Sequence, residues 1–330
     1  MASFSQFGND LYTGKRSFNF VGRRRIWFTI AIVGVLLSII VPIARGGFAF
    51  GIEFRGGSEF IVSNPSSTDQ SLAVGAVHTV VPNVVPRTSL VNGGTSIRVQ
   101  TDQLTPANSD AVRNALATAY NVQTSQVTSS FIGATWGADI TRQAVTALLV
   151  FILLAAIVMA LYFRTWKMSL AALVALIHDL IITAGVYGIL GFEVTPAAVI
   201  GLLTILGYSL YDTVVVFDKI RENTNEASAR TFAESVNLAE NQTLVRSINT
   251  SVVALLPVGS ILFIGAFVLG AGTLRDISLA LFIGIIAGTY STLFIAGPLY
   301  AQLRSGETMV KKDDKRKTTS SARVTTGAVR

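Results

Sequence analysis

The sequence predicts an α-helical polytopic membrane protein, with six transmembrane helices and one extracytoplasmic, ferredoxin-like α+β domain between helices 1 and 2. Three observations predict this class. Hydrophobic residues make up 51% of the 330 residues and charged residues 14%, with a mean hydropathy of +0.55. That balance is too apolar for an ordinary water-soluble domain. Six long apolar segments are present, and a polar stretch, 46–139, separates the first from the other five.

The first transmembrane helix is predicted over residues 26–45, with its most apolar part at Ile26–Ile43, after a cytoplasmic N-terminal segment, 1–25. Arg23, Arg24 and Arg25 stand directly before it, as they would in a signal peptide. Its apolar run is too long for a signal peptide and lacks a convincing small-residue cleavage site. We therefore interpret this helix as a retained anchor.

The polar region 46–139 predicts a soluble domain on the outer side of the membrane. Its alternation and turn signals predict the order β-α-β-β-α-β, which is the split βαβ arrangement of ferredoxin-like domains. The predicted elements are Phe48–Val62, Asp69–Val81, Val84–Val91, Ser96–Thr101, Pro106–Tyr120 and Val122–Ile132. Asn92, Gly93 and Gly94 predict the hairpin turn between the two middle strands.

The remaining apolar segments predict a five-helix bundle over 140–303. They are Ala144–Phe163, Ser169–Leu190, Pro196–Phe217, Ser251–Leu269 and Ile277–Tyr300. The stretch 218–249 is predicted to be a cytoplasmic loop inside this region. Residues 304–330 are charged and then rich in Ser and Thr, which predicts a disordered basic cytoplasmic tail.

Basic residues predict that both termini are cytoplasmic. Arg164 and Lys167 fill the turn between helices 2 and 3, and a basic cluster at Lys311–Lys317 follows helix 6. The net charge of +7 is therefore concentrated beside apolar segments and in the tail. That placement predicts contact with membrane lipids rather than with nucleic acid.

Asp212 is the most informative residue, because it lies in an otherwise apolar helix where a carboxylate is costly and indicates function. Helical spacing gives its face a set of neighbours that should point inward with it. They are Ile205, Tyr208, Ser209 and Val216, with Thr213 directly after the acid. Asp179 on helix 3 is a second intramembrane acid.

A second polar stripe opens helix 5, with Thr243, Arg246, Ser247 and Thr250 at helical spacing. Arg246 is at a depth similar to that of Asp212, so the two side chains can pair, and protonation of the acid would release the arginine. That arrangement would be a two-state element driven by a proton. A static ion pair that only locks the helices together is the alternative.

Several kinds of chemistry are disfavoured by composition. The absence of cysteine excludes disulfides and thiolate sites, and two histidines make a histidine-built metal site a poor hypothesis. No GxxxxGK[ST] phosphate loop occurs, so nucleotide hydrolysis would belong to a partner. We expect no enzymatic activity, no metal and no cofactor, with protons as the coupling ion.

Six sequence blocks resemble the signature blocks of the SecF family of protein-export membrane proteins. They are Gly51–Gly57 (GIEFRGG), Ala175–Asp179 (ALIHD), Gly207–Thr213 (GYSLYDT), Val216–Asn223 (VFDKIREN), Asn241–Ser251 (NQTLVRSINTS) and Gly288–Thr292 (GTYST). The resemblance runs in order from Gly22 to Leu303. Glu53 stands where the family usually has Asp, and Tyr211 stands where Asn is common.

The resemblance implies an RND-type six-helix bundle in the bacterial cytoplasmic membrane. It implies partnership with SecD and the SecYEG channel, contact with the translocating preprotein, and YajC as a further candidate partner. It also implies coupling of proton flow to late steps of preprotein translocation. The family's membrane acid falls on Asp212 and its arginine on Arg246, with Asp179 in second rank. The outer motif falls on Gly51, Glu53, Arg55, Gly56 and Gly57.

Two other function classes stay open from the sequence. A subunit of an RND-type small-molecule exporter would share the bundle and the membrane acids, but should carry larger external domains. A non-transporting scaffold of a membrane complex would need no titrating acid. The substitution Asp212→Asn discriminates the scaffold from a proton-coupled machine.

Overall fold

The computed structural model describes residues 4–91, 94–225, 230–265 and 272–306. Within these residues six helices are long and apolar enough to cross a membrane, which confirms the helical polytopic class. They are α2 (Arg24–Ala44), α6 (Ala134–Phe163), α7 (Trp166–Leu190), α8 (Pro196–Asn225), α9 (Phe232–Ser260) with a π-helical end (Ile261–Gly265), and α10 (Gly272–Ser291), which continues through a π-helical stretch (Thr292–Ala296) into α11 (Gly297–Arg304). A short helix, α1 (Phe4–Tyr12), precedes them.

The predicted extent of the cytoplasmic loop, 218–249, is wrong, because most of this stretch is helical. Helix α8 continues to Asn225 rather than ending at Phe217. Helix α9 begins at Phe232, where Thr231 and Glu234 form a capping box that satisfies two backbone N–H groups. Hydropathy marks only the apolar part of a helix, so it missed these polar extensions. For the same reason α6 begins at Ala134 rather than at Ala144.

The α+β domain contains a four-stranded antiparallel sheet with the strand order β3-β4-β2-β5. Its elements are β2 (Gly57–Ser63), α4 (Gln70–Val80), β3 (Arg87–Val91), β4 (Ser96–Thr101), α5 (Pro106–Ala119) and β5 (Val127–Ile132). The core of the domain lies between the sheet and the two helices, and it includes Phe60, Val62, Val99, Leu116 and Tyr120.

Three predicted strand boundaries differ from the structure. Phe48–Val62 is divided into β1 (Ala49–Phe50), a single helical turn, α3 (Ile52–Arg55), and β2. The predicted strand at Val84 begins only at Arg87, after Pro86, which has no N–H for the ladder. The predicted strand at Val122 begins at Val127, after a 3₁₀ turn. Asn92 and Gly93 of the predicted hairpin turn lie outside the described residues.

Glycines in the outer motif explain the break before β2. Gly56 and Gly57 have φ angles of 74° and 147°, which side chains rarely adopt. A Cβ on Gly57 would also collide with the carbonyl oxygen of Thr101 on the neighbouring strand. The chain can therefore leave α3 and enter the sheet within two residues.

A short parallel pairing ties the domain linker to the bundle. Strand β1 pairs with β6 (Glu193–Val194), which connects α7 to α8. The backbone N–H of Gly51 donates to the carbonyl of Val194 at 3.0 Å. We call this end of the bundle the domain end and the other the far end.

Close helix contacts in the bundle depend on glycine, because a residue without a side chain lets two helix backbones approach. A Cβ on Gly284 of α10 would collide with the side chain of Ile205 on α8, and a Cβ on Gly201 would lie 2.7 Å from the carbonyl oxygen of Ile277. Helices α8 and α10 therefore pack backbone to backbone. Of the predicted tail, residues 307–330 lie outside the described residues.

Candidate functional site

Asp179 is the centre of a buried polar cluster that joins three helices. Its side chain is 1% exposed. The Oδ2 atom accepts hydrogen bonds from Ser209 of α8 at 2.6 Å and from Ser291 of α10 at 2.8 Å. His178 Nδ1 lies 3.2 Å from Oδ1. Asp179, which the sequence placed second to Asp212 as a candidate, therefore has more hydrogen-bond partners than Asp212.

The geometry around Asp179 follows from a small residue on α10. A Cβ at Gly288 would lie 3.0 Å from the Ser209 hydroxyl and 3.5 Å from Asp179 Oδ2. Glycine at this position lets α10 approach closely enough for Ser291, one turn later, to reach the carboxylate. The role of Ser291 as a hydrogen-bond donor was not predicted from the sequence.

Asp212 lies one turn further along α8 than Ser209 and is 6% exposed. Its Oδ1 atom accepts a hydrogen bond from Ser247 of α9 at 3.1 Å. Its Oδ2 atom is buried and has no hydrogen-bond partner among the described residues. Buried polar atoms in proteins normally have a hydrogen-bond partner. A buried carboxyl oxygen without one is therefore energetically unfavourable.

Arg246 and Asp212 are not joined by an ion pair within 4.0 Å in the described part of the chain, which answers the question of direct contact that the sequence left open. The side chain of Arg246 is exposed. Neighbouring residues of a helix point about 100° apart, so when Ser247 faces Asp212, Arg246 faces the bundle surface. There it lines a cavity of about 360 Å³ together with Asp218, Lys219 and Glu222.

The other predicted polar residues surround the acids without touching them. Thr213 shares a hydrogen bond of 2.9 Å with Thr292, and Thr250 donates to the carbonyl of Ser247. Thr243 donates to the carbonyls of Ala239 and Glu240. The hydroxyl of Tyr208 is buried without a hydrogen-bond partner in the described residues. Sequence reasoning missed Thr289, which bonds Ser251 at 2.6 Å.

Together these contacts form a polar zone through the apolar bundle. Helix α8 brings Asp179 and Asp212 close together. Ser209 of α8 donates a hydrogen bond to Asp179, and Asp212 lies on the same helix about 4.5 Å further along its axis. Hydroxyl groups both donate and accept, so they can pass protons between carboxyls. Within the described ranges no group of three metal-ligating side chains comes together. The arrangement suits proton binding.

A second charged cluster lies at the domain end. Arg98 of β4 pairs with Glu59 of β2 at 3.4 Å and with Glu193 of β6 at 3.1 Å, which links the sheet to the bundle. Glu53 of the outer motif lies beside this cluster, with its Oε2 atom buried and unbonded in the described structure. The motif's Arg55 donates to the carbonyl of Phe50 instead.

Burial raises the pKa of Glu53. A hydrogen bond from its own backbone N–H opposes the rise, whereas the nearby carboxylates of Glu193 and Glu59 add to it. A carboxyl whose pKa is higher in the folded protein stabilises the fold only while it is protonated, and this contribution is lost as the pH rises through the folded-state pKa.

We therefore expect Glu53→Gln to raise the midpoint of thermal unfolding at neutral pH and to lose this advantage in acid. The measurement is the unfolding midpoint of the purified protein as a function of pH. Asp102→Asn, an exposed acid of the same domain, is the matched control and should leave the pH profile unchanged. A Glu53→Gln profile parallel to that of the wild type would contradict this reading.

Comparison with known proteins identifies the family of this chain. Residues 111–306 match the family model described as protein export membrane protein SecD/SecF, C-terminal. The chain is 44% identical to the protein translocase subunit SecF of Streptomyces coelicolor over 321 residues, which are 96% of this chain and 84% of that one. It is 42% identical to SecF of Mycobacterium tuberculosis, covering 94% of this chain and 72% of that one.

A solved structure agrees in fold. The crystal structure of SecDF, a translocon-associated membrane protein from Thermus thermophilus, superposes with a TM-score of 0.76 at 30% identity. The match covers 88% of this chain and 39% of that longer one. The chain therefore belongs to the SecF family, as a multi-pass subunit of the Sec protein-export machinery in the bacterial inner membrane.

Proposed function

We propose that this subunit works with SecD to couple the proton gradient to late steps of preprotein translocation, and that Asp212 is the coupling acid. The observation that carries the proposal is the carboxyl of Asp212. It is buried, held by one hydroxyl, and has a second oxygen without a partner in the described structure. Such a group changes its hydrogen bonding whenever it gains or loses a proton.

Sidedness is part of the proposal. The far end of the bundle, where Arg23–Arg25 and Arg164 lie, faces the cytoplasm by the positive-inside rule. The domain end, with its ferredoxin-like domain, then faces outward and acts on the emerging preprotein. The strand order β3-β4-β2-β5 supports the ferredoxin-like assignment.

SecD is the proposed membrane partner because the similar chain from Thermus thermophilus is a SecDF protein of which this chain covers only 39%. The exposed position of Arg246 leaves it accessible to a partner at that surface. The SecYEG channel, the preprotein and YajC are further partners proposed from the family. We propose neither a cofactor nor an enzymatic activity beyond proton coupling.

The energy available from a proton is sufficient for a conformational step. One charge crossing a membrane potential of 100 mV yields about 2.3 kcal/mol. That energy biases a two-state equilibrium by a factor of roughly 50. Protonation of Asp212 would allow its free oxygen to donate to an acceptor, whereas the ionised form needs donors or a cation, so the two forms favour different helix arrangements.

Asp212→Asn tests the proposal, because asparagine keeps the size and polarity of the side chain but cannot exchange a proton. We expect it to abolish the stimulation by a proton gradient of the completion rate of a trapped, half-exported preprotein in membrane vesicles. The rate without a gradient should be unchanged.

Asp139→Asn is the matched control, because it makes the same chemical change at an exposed acid on α6. It should keep the full gradient response. An equal response of Asp212→Asn and wild type would show that Asp212 is structural, and would favour a scaffold or another entry point for the driving force.

A further inference from the structure

Glu240 is a fully buried acid that the proposed coupling step does not use. It lies on α9 and is 0% exposed. Neither of its carboxyl oxygens has a hydrogen-bond partner in the described residues. A buried carboxylate without a partner is among the most costly arrangements in a protein, because its solvation is lost and nothing replaces it.

The surroundings of Glu240 are apolar. One turn away on either side, α9 carries the buried Val236 and Leu244. The sixth membrane helix, α10 to α11, faces Glu240 with Leu293, Gly297 and Tyr300, which are spaced about one helical turn apart. A Cβ on Gly297 would collide with Glu240 Oε1, so the glycine provides the space that the carboxyl occupies. The neutral, proton-bearing form is the one this environment can hold.

Charged groups on the packed elements are engaged elsewhere. Two ion pairs join Asp10 of α1 to Arg16 and Lys219 of α8 to Glu222. Two cations donate hydrogen bonds, Arg304 of α11 to the hydroxyl of Tyr300 and Lys167 of α7 to the carbonyl of Leu303. Asp212 of α8 accepts a hydrogen bond from Ser247. None of the ion pairs within the described ranges includes Glu240.

The position of Glu240 relates it to the coupling acid. It precedes Ser247, the hydroxyl donor to Asp212, by seven residues, so both lie on one face of α9 about 10 Å apart. Thr243 lies between them and donates to the carbonyl of Glu240 at 3.2 Å. The line from Asp212 through Ser247 and Thr243 to Glu240 runs toward the far end of the bundle.

The N-terminal segment covers α9 beside Glu240. Asn241 exchanges two hydrogen bonds with the backbone of Phe18, at 2.7 and 2.9 Å. Asn237 accepts from the backbone N–H of Phe20 at 2.8 Å. Leu11 and Phe20 pack against Leu244 and Leu293. These contacts flank Glu240 on α9, so the N-terminal segment lies over the helix next to the acid.

We propose that Glu240 is a second proton-binding site, on the cytoplasmic side of Asp212, which the N-terminal segment covers. The inference rests on the proposed coupling function and deepens it. When the cover is in place, the carboxyl holds its proton. When the segment lifts, water reaches the carboxyl, the proton leaves to water on the cytoplasmic side, and the carboxylate is reprotonated from the Asp212 side.

The first test is Glu240→Gln, which keeps the size and the polar atoms of the side chain but removes the exchangeable acid. We expect the gradient-dependent increment of preprotein release to be lost and the rate without a gradient to be kept. Glu234→Gln is the matched control, because it makes the same change on the same helix and a glutamine still completes a capping box. Equal gradient responses of Glu240→Gln and wild type would overturn the proposal.

The second test needs no export activity, so it separates this inference from the coupling function. Infrared difference spectra of the full-length protein, with glutamate carboxyls isotope-labelled, report the carbonyl stretch of a protonated acid as the pH is raised. We expect the wild type to show a band that disappears as the pH is raised and that is absent from Glu240→Gln. In Asn241→Ala, which loosens the cover, the same band should disappear at a lower pH. A band that never titrates in either background would make Glu240 a packing residue.

The two tests also distinguish the failures. If Asp212→Asn keeps the full gradient response, the coupling proposal fails whatever Glu240 does. If Asp212→Asn loses the response while Glu240→Gln keeps it, the coupling function stands and only the second site is overturned.

Discussion

Gly284→Leu is expected to prevent normal assembly of the helix bundle. A Cβ at this position already collides with the side chain of Ile205, and a leucine would push α10 away from α8. Overpacking a well-filled interior costs typically 1–3 kcal/mol, and more where a helix backbone must move. The same displacement would pull Ser291 away from Asp179. The expected result is a large loss of folded protein, measured as the detergent-solubilised fraction that resists protease and as the unfolding midpoint.

Gly207→Leu is the matched control for this substitution. Gly207 lies on α8, and nothing lies within 4 Å of a Cβ built there. The same glycine-to-leucine change should therefore leave assembly of this chain intact. Equal protease resistance of the two variants would show that the close approach of α8 and α10 is not required.

Asp179→Ala is expected to destabilise the bundle by about 2 kcal/mol or more. Removing the carboxylate leaves the hydroxyl of Ser209 and a ring nitrogen of His178 without their partner, whereas Ser291 keeps its hydrogen bond to the carbonyl of Gly288 at 3.2 Å. Each unsatisfied buried polar group costs about 1–3 kcal/mol. The measurement is the free energy of unfolding in detergent, by denaturant titration.

Two comparisons make this result specific. Asp179→Asn keeps one acceptor oxygen and should lose less stability than Asp179→Ala. Ser291→Ala removes one donor and leaves the other two, so its cost should be about 1 kcal/mol. If Asp179→Ala unfolds at the same denaturant concentration as the wild type, the cluster contributes nothing to stability.

The helical architecture could be predicted from sequence because its signals are local. A run of apolar residues specifies a membrane helix, and helical spacing placed Ser209, Asp212 and Val216 on one inward face. The order of helices and strands in the α+β domain was also predicted. Its strand boundaries were not, because Gly56, Gly57 and Pro86 act through backbone geometry that an alternation pattern does not report.

The interior contacts could not be predicted, because they join residues far apart in the chain. Ser209 and Ser291 meet at Asp179 only after α7, α8 and α10 pack, and this packing depends on Gly288. Depth along a helix indicated only that Asp212 and Arg246 could pair. Depth says nothing about the direction of a side chain around the helix, and Ser247 occupies the inward direction.

Glu240 shows a related limit of hydropathy. It fell in the predicted loop 218–249, where an acid is expected to be in water. It is buried against Gly297, and the N-terminal segment, more than two hundred residues away in the chain, is held beside it by Asn237 and Asn241. A cover of this kind has no local signature in the sequence.

The central claim is that protons pass through this bundle by way of Asp212 while a preprotein is being exported. The most direct test is proton influx into vesicles that contain the chain with SecD, followed with a pH-sensitive dye during preprotein release. The account predicts that influx accompanies release in wild type and Asp139→Asn, and is absent in Asp212→Asn. Influx of the same size in Asp212→Asn would contradict it.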